Sequence, residues 1–116
     1  MWTIYYNGDC SKSRAAREFL ISNGIEFTTV NYLEGTLTAD DIQALYTLIG
    51  GDLDAMVRMG EDEFKVIEGS WHSLSAPEKF IFIAENPRVL QRPIVSNGKK
   101  AVIARPTADL IAALID

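Results

Sequence analysis

The chain has 116 residues, 47% of them hydrophobic, and residues 1–116 therefore suit a single globular domain. Lysine and arginine total 11 against 16 aspartate and glutamate residues, and a net charge of −5 argues against duplex DNA binding. Cys10 is the one cysteine and His72 the one histidine, which excludes an intramolecular disulfide and the common four-ligand structural zinc sites. No apolar run reaches the roughly 20 residues of a membrane span, and no signal peptide is visible. We expect a cytoplasmic protein with a free thiol and with no nucleic-acid or membrane partner.

The N-terminal quarter of the chain predicts a strand, a loop, a helix and a second strand. Residues 2–6 are aromatic and β-branched, which favours a strand, and turn-forming residues follow them. Apolar positions recur at helical spacing over residues 11–23, and Gly24 suits the left-handed position at the end of that helix. Residues 26–31 are again rich in β-forming side chains. A connection of this length is typical of a right-handed crossover between parallel strands.

The middle of the chain carries helical patterns and few strand signals. Ile42, Leu45 and Ile49 lie on one face of a predicted helix. Residues 75–78, Ser-Ala-Pro-Glu, match a capping box with proline in the first turn. We therefore predict a helical insert at about residues 36–90.

The C-terminal part predicts a hairpin and a last helix. Residues 93–104 have strand character around Asn97-Gly98, which we predict as a two-residue turn because both central residues of such a turn need positive φ. Thr107 is the expected cap of the helix, and the residues expected on its buried side are Leu110, Ile111 and Leu114. The order βαβ, helical insert, ββα predicts an α/β fold in which helices flank a mixed four-stranded sheet.

Cys10 lies between a predicted strand end and a predicted helix start. Unpaired backbone N–H groups and the positive end of the helix dipole stabilise a thiolate there, and Arg14 adds positive charge about one turn further along. A free cysteine is most often buried and inert, but polar residues flank Cys10 on both sides. We therefore favour a reactive thiol whose pKa is below that of a free cysteine.

Two thiol motifs can be excluded at this position. A disulfide oxidoreductase needs C-x-x-C, and position 13 is serine. A cysteine-dependent phosphatase loop needs an arginine six positions after the cysteine, and position 16 is alanine. The thiol has no resolving partner within the chain, so every reducing equivalent must come from outside.

Residues 5–14, Tyr-Tyr-Asn-Gly-Asp-Cys-Ser-Lys-Ser-Arg, resemble the active-site segment of the glutaredoxin-coupled arsenate reductase (ArsC) family. The resemblance continues in the family's order at residues 31–34, at Val57-Arg58, and at Asn86-Pro87, Arg92-Pro93-Ile94-Val95 and Ala104-Arg105-Pro106. It covers nearly the whole chain. It implies a thioredoxin-like fold with a helical insert, and Pro93 resembles the cis-proline of such folds.

The resemblance also implies which residues act. The family's catalytic cysteine matches Cys10, and the three arginines that bind its oxyanion match Arg58, Arg92 and Arg105. Arginine suits this task because its planar guanidinium pairs bidentately with tetrahedral oxyanions and stays charged at any working pH.

Three further residues, Asn7, Ser13 and Arg14, are expected to stabilise the Cys10 thiolate. Tyr6 stands where many family members have a histidine that helps to activate the thiol. A tyrosine cannot supply an imidazolium charge, so we expect the helix terminus and Arg14 to take over that role.

The implied function is arsenate reduction with no bound metal or cofactor. By resemblance, the Cys10 thiolate attacks arsenic(V) and water leaves, glutathione as co-substrate attacks the adduct, and a glutaredoxin resolves the mixed disulfide as arsenite is released. Two alternatives stay open. One is a thioredoxin-fold regulator of the Spx type that binds RNA polymerase, although the redox switch of that type needs the C-x-x-C that Ser13 removes. The other is a glutathione-linked thiol oxidoreductase that acts on another substrate.

Overall fold

A mixed four-stranded sheet lies at the centre of the molecule. The computed structural model describes residues 1–105 and 107–115. Its strands are β1 (Trp2–Tyr5), β2 (Phe27–Val30), β3 (Ile94–Ser96) and β4 (Ala101–Ile103), in the spatial order β2-β1-β3-β4. Strand β1 is parallel to β2 and antiparallel to β3, and β3 is antiparallel to β4. The predicted mixed sheet, with its parallel and antiparallel pairs, is confirmed.

Helices flank this sheet. The α-helices are α1 (Ser11–Ser22), α2 (Ala39–Ile49), α3 (Asp62–Ile67) and α4 (Ala76–Glu85). Short 3-10 helices occupy Tyr32–Glu34, Asp54–Met56, Glu68–Ser73, Pro87–Val89 and Ala108–Leu114. Helix α1 connects the parallel pair β1 and β2, and the segment between β2 and β3 is helical apart from one isolated bridge between Val57 and Leu90. None of the helices described is long and apolar enough to cross a bilayer.

Two helices of the insert begin at capping boxes. The Thr38 hydroxyl accepts a hydrogen bond from the N–H of Asp41, whose carboxylate accepts one from the N–H of Thr38. Ser75 and Glu78 repeat the arrangement at the start of α4, as predicted. Such reciprocal bonds satisfy N–H groups that have no partner within the helix, so these residues determine where each helix begins.

Two hydrophobic clusters cover opposite faces of the sheet. The first packs the insert against one face, and Tyr32, Phe64, Trp71, Leu90 and Ile94 are among its members. The second packs α1 and the C-terminal helix against the other face, and Ile4, Leu20, Val95, Ile111 and Leu114 are among its members. Ile94 and Val95 are neighbours in β3 but belong to different clusters, because successive side chains of a strand point to opposite faces.

The turn of the C-terminal hairpin lies one residue later than predicted. The N–H of Asn97 donates to the carbonyl of Lys100 at 3.0 Å, so Gly98 and Lys99 are the central residues. Gly98 alone of the two has positive φ, at 92°. The Oδ1 atom of Asn97 accepts hydrogen bonds from the N–H groups of Lys99 and Lys100 at 2.9 and 2.8 Å. The asparagine therefore closes the loop from its first position with its side chain, which is a common use of this residue in turns.

The last helix also differs from the prediction. It is a 3-10 helix, and the Thr107 side chain makes no capping hydrogen bond. Ile111 and Leu114 are buried as expected, but Leu110 is exposed. Three residues per turn align positions 108, 111 and 114 on one side, which leaves position 110 facing outward. Pro106, which formed part of the sequence resemblance, lies outside the described residues.

Candidate active site

Cys10 occupies the N-cap position of α1, directly after the loop that follows β1. Its backbone is extended, with φ −99° and ψ 121°, and its carbonyl accepts the first hydrogen bond of the helix from the N–H of Arg14 at 3.1 Å. The N–H of Cys10 donates to the carbonyl of Asn7 at 3.0 Å. The sulfur is partly exposed at the positive end of the helix, as the sequence predicts.

The loop before Cys10 is held by side chains that the sequence analysis associates with the thiolate. The Oδ1 atom of Asn7 accepts from the N–H of Asp9 at 3.0 Å, and the N–H of Asn7 donates to the Ser13 hydroxyl at 3.3 Å. Ser13 is fully buried. Arg14 donates from Nη1 to the carbonyl of Gly8 at 2.6 Å, so the contact it makes is with the loop. The role of Arg14 at the thiolate stays a prediction.

Arg105 and Arg92 meet beside the thiol. The Nη1 atom of Arg105 lies 3.7 Å from the Sγ atom of Cys10 and donates to the backbone carbonyl of Arg92 at 2.9 Å. The N–H of Ala104 donates to the carbonyl of Pro93 at 2.9 Å, which continues the β3–β4 pairing up to these arginines. The Arg92–Pro93 peptide bond is cis, as the resemblance implies.

These contacts make the thiol acidic. Burial raises the pKa of Cys10, but hydrogen bonds from the backbone and hydroxyl of Ser13, from the Arg92 side chain and from the backbone of Lys12 outweigh it and lower the pKa to about 7. About half of the thiol is therefore ionised at neutral pH, and the thiolate is the nucleophilic form. The predicted acidic thiol is consistent with this value.

Arg58 lies in the same region but has a different partner. Its N–H donates to the carbonyl of Val89 at 2.6 Å, next to the bridge between Val57 and Leu90, which places the Arg58 segment beside the chain that leads to Arg92. Its Nη1 atom forms an ion pair with the Oε1 atom of Glu61 at 2.8 Å. Within the described residues it makes no hydrogen bond to Cys10, so its role as an oxyanion ligand stays a prediction.

A cavity of about 450 Å³ opens beside Arg92. Its lining includes Asn7, Leu33, Glu61, Arg88 and Arg92. Glu61 pairs with Arg58 and also lies 3.5 Å from Arg88, so this single carboxylate neutralises part of two guanidinium groups, of which Arg88 lines the cavity. Of the three arginines predicted to bind the oxyanion, this cavity is lined by Arg92.

Tyr32 has Arg92 and Asn7 near its hydroxyl, although the sequence analysis gave this residue no role. It lies two residues after the end of β2, and because β1 and β2 are parallel, their carboxyl ends place Tyr32 and the Cys10 loop at the same edge of the sheet. Ligand sites in α/β folds are common at this edge, so the predicted βαβ unit already contained the signal. Glu61 was missed too, because its pairing with Arg58 depends on how the chain turns into α3.

The structure thus brings Cys10, Ser13, Arg92 and Arg105 together, with Asn7 holding the loop, while Arg14 and Arg58 contact other groups. Over residues 1–105 and 107–115, no group of three or more histidine, cysteine, aspartate or glutamate side chains is placed to hold a metal ion.

Comparisons with known proteins agree with this arrangement. A family model described as "ArsC family" matches residues 5–113. The arsenate reductase of Haemophilus influenzae is 33% identical over 112 residues, which are 96% of this chain and 97% of that protein. The solved structure of an arsenate reductase from Vibrio cholerae superposes with a TM-score of 0.91 at 30% identity, covering 98% of this chain and 97% of the other. A more distant relative, the global transcriptional regulator Spx of Streptococcus pyogenes, is 23% identical over 89% of this chain and 77% of that protein. The chain belongs to the ArsC family and has its thioredoxin-like fold.

Proposed function

We propose that this protein is an arsenate reductase that uses Cys10 as its nucleophile and glutathione with a glutaredoxin as its reductants. One observation carries the proposal: the Cys10 thiol has a pKa lowered to about 7, and a nitrogen of Arg105 lies 3.7 Å from its sulfur. A thiolate supplies the nucleophile, and the guanidinium supplies the charge that an oxyanion needs to approach it.

The arginines are proposed to hold the oxyanion. Arg105 lies beside the sulfur and the Arg92 side chain hydrogen-bonds to it, and the Nε atom of Arg92 is buried with no hydrogen-bond partner among the described residues. Arg58 would add the donors that Glu61 leaves free. In a chain of net charge −5, such local clustering of guanidinium groups is what allows an anion to bind.

The chemistry follows from the single cysteine. The Cys10 thiolate forms a sulfur–arsenic bond while one arsenic–oxygen bond breaks, and the departing oxygen takes up protons and leaves as water. The glutathione thiolate then attacks the Cys10 sulfur. A disulfide forms, the sulfur–arsenic bond breaks, and its electron pair stays on arsenic, which is reduced from As(V) to As(III) and leaves as arsenite. Thiol–disulfide exchange with glutaredoxin restores the Cys10 thiolate.

The test is a coupled assay that follows NADPH consumption and arsenite release. It contains arsenate, glutathione, glutaredoxin and glutathione reductase, and we expect turnover by the wild type and none by Cys10→Ser. Exchanging glutathione and glutaredoxin for thioredoxin and its reductase tests the reductant separately. Absence of arsenite from a folded wild-type protein with either reductant would contradict the proposal.

The alternatives from the sequence have weaker support. The Spx relative is less similar than the arsenate reductases, and the fully buried Ser13 holds the position where the Spx switch needs its second cysteine. A glutathione-linked oxidoreductase on another substrate would share the acidic thiol. It would reduce a small mixed disulfide such as that of glutathione and hydroxyethylthiol, and arsenate would not compete.

A further inference from the structure

The Tyr32 hydroxyl is a buried donor that meets no acceptor. The side chain is fully buried in the first hydrophobic cluster, and within the described part of the chain its hydroxyl has no hydrogen-bond partner. The Nε atom of Arg92 is also buried and without a partner. Unpaired buried donors are costly and rare, and each one in a folded protein needs an explanation, such as a ligand that binds there.

The surroundings of this hydroxyl belong to the Cys10 site. Burial raises the pKa of Tyr32, the positive charge of Arg92 and the hydrogen-bond donors on the side chains of Arg92 and Asn7 lower it, and the Cys10 thiolate raises it. The hydroxyl is therefore within electrostatic reach of both the nucleophile and the arginine beside it. Because the net change is upward, Tyr32 keeps its proton at neutral pH and remains a donor.

The neighbours of the hydroxyl are themselves donors. A guanidinium has no acceptor atom, so Arg92 cannot accept the Tyr32 proton. The Asn7 side chain acts on the hydroxyl as a donor too, through its amide nitrogen, because it lowers the pKa of Tyr32. Three donors with no shared acceptor form the arrangement that stabilises an oxyanion, since each oxygen of such an anion accepts several hydrogen bonds.

We propose that the Tyr32 hydroxyl donates a hydrogen bond to the oxyanion held beside Cys10 and is a further substrate-binding residue of the site. The inference deepens the proposed function, on which it rests for the identity of the anion as arsenate. Together with Arg92, this neutral donor would bind the oxygens that gain charge as the thiolate attacks.

The test compares Tyr32→Phe with the wild type in the full chain. The first readout is the arsenate concentration that half-protects Cys10 from iodoacetamide without any thiol reductant, and we expect it to rise about ten- to a hundred-fold. The second is kcat/KM in the coupled assay, which should fall by a similar factor. Tyr46→Phe is the matched control, because the Tyr46 ring packs on Phe80 in the insert and lies outside the Cys10 site.

A third readout separates binding from a merely structural role. The hydroxyl has no partner in the anion-free protein, so the unfolding temperature of Tyr32→Phe without arsenate should equal or exceed that of the wild type. The alkylation midpoint should stay near pH 7, because the hydrogen bonds that lower the pKa of Cys10 come from Ser13, Arg92 and Lys12. A less stable variant, or one whose thiol pKa rises while arsenate protection is unchanged, overturns the inference.

The remaining outcomes separate the two proposals. Equal protection and equal kcat/KM for wild type and Tyr32→Phe overturn the role of Tyr32 and leave the proposed function standing. A third outcome is that arsenate protects the wild-type thiol, protects Tyr32→Phe less well, and is reduced to arsenite by neither protein. This outcome supports Tyr32 as an anion ligand and overturns arsenate reduction. If arsenate fails to protect even the wild-type thiol, both are overturned.

Discussion

The Nη1 atom of Arg105 lies 3.7 Å from the sulfur of Cys10 and donates to the Arg92 carbonyl at 2.9 Å, although Arg105 and Cys10 are 95 positions apart in the sequence. The β3–β4 hairpin makes this contact, because Arg92 precedes β3 and Arg105 follows β4. One guanidinium therefore links the Cys10 thiol to the backbone of a second arginine. A substitution of Arg105 would remove both the positive charge beside the thiol and the hydrogen bond to the Arg92 carbonyl. Substitutions of Ser13 and Arg92 change the pKa of the thiol and the binding of the anion separately.

Replacing Ser13 by alanine should raise the pKa of Cys10 above its value of about 7 without returning it to that of a free thiol. The hydroxyl that lowers the pKa is lost, but the backbone N–H of residue 13 remains. The pH at which alkylation by iodoacetamide is half-maximal measures the change. In the coupled assay, the rise in activity with pH should move to higher pH by the same amount.

Lys12→Ala is the matched control for Ser13, because Lys12 acts on the thiol through its backbone N–H and a side-chain change leaves that donor in place. Its alkylation midpoint should remain at the wild-type value. An unchanged midpoint in Ser13→Ala would mean that the hydroxyl does not hydrogen-bond the thiolate.

Replacing Arg92 by lysine should lower kcat/KM for arsenate about ten- to a hundred-fold although the charge is kept. Lysine cannot reproduce a planar contact to two oxygens, and a lost charge-assisted hydrogen bond is worth roughly 1.5–3 kcal/mol. Arg92→Ala should be worse. Arg17→Lys, on the exposed side of α1, is the control and should be neutral. Full activity of Arg92→Ala in an active, folded background would disprove its role as an oxyanion ligand.

Local sequence patterns predicted most of the helices and strands, but they could not predict contacts between segments that are distant in the sequence. Gly24 has φ 66° at the end of α1, and Ser75 caps α4, because both features depend on residues a few positions apart. For Tyr32, the βαβ pattern predicts the edge of the sheet on which the residue lies, but not the neighbours of its hydroxyl. The parallel pairing of β1 with β2 places Tyr32 near the Cys10 loop. The pairing of β1 with β3 then places Arg92, which precedes β3, at the same edge of the sheet.

The pairing of Arg58 with Glu61 shows the same limit at shorter range. The two residues are three positions apart, but the 2.8 Å contact requires the turn that enters α3. From the sequence, the acidic run that contains Glu61 is indistinguishable from a solvated surface. In the structure, Glu61 lines the cavity beside Arg92.

Replacing Glu61 by glutamine should strengthen arsenate binding a few-fold. The change removes a negative charge from the cavity wall and releases the Arg58 guanidinium while keeping the size of the side chain. The expected size is that of a partly exposed ion pair, roughly 0.2–1 kcal/mol, and it should shrink at high salt. Arsenate protection of Cys10 from alkylation, measured at two ionic strengths, checks it.

The control for Glu61 is Glu63→Gln, because Glu63 lines the same cavity but its ion pair is with Arg88, at 3.7 Å, and not with Arg58. Removing its charge tests the general field in the cavity without releasing Arg58. If both variants strengthen binding equally, the effect comes from net charge alone. Weaker binding in Glu61→Gln would mean that Glu61 holds Arg58 in its anion-binding position.

Replacing Asn97 by alanine should destabilise the protein by about 1–3 kcal/mol, because the side chain makes three hydrogen bonds that alanine cannot replace. Its Oδ1 atom accepts from the N–H groups of Lys99 and Lys100, and its Nδ2 atom donates to the carbonyl of Leu114 at 3.0 Å. The residue therefore closes the hairpin turn and ties it to the C-terminal helix. Urea unfolding followed by circular dichroism measures the loss, with the exposed Lys99→Ala as a control expected within about 0.5 kcal/mol of the wild type. Equal stability of Asn97→Ala and Lys99→Ala would show that the side chain of Asn97 does not hold this turn.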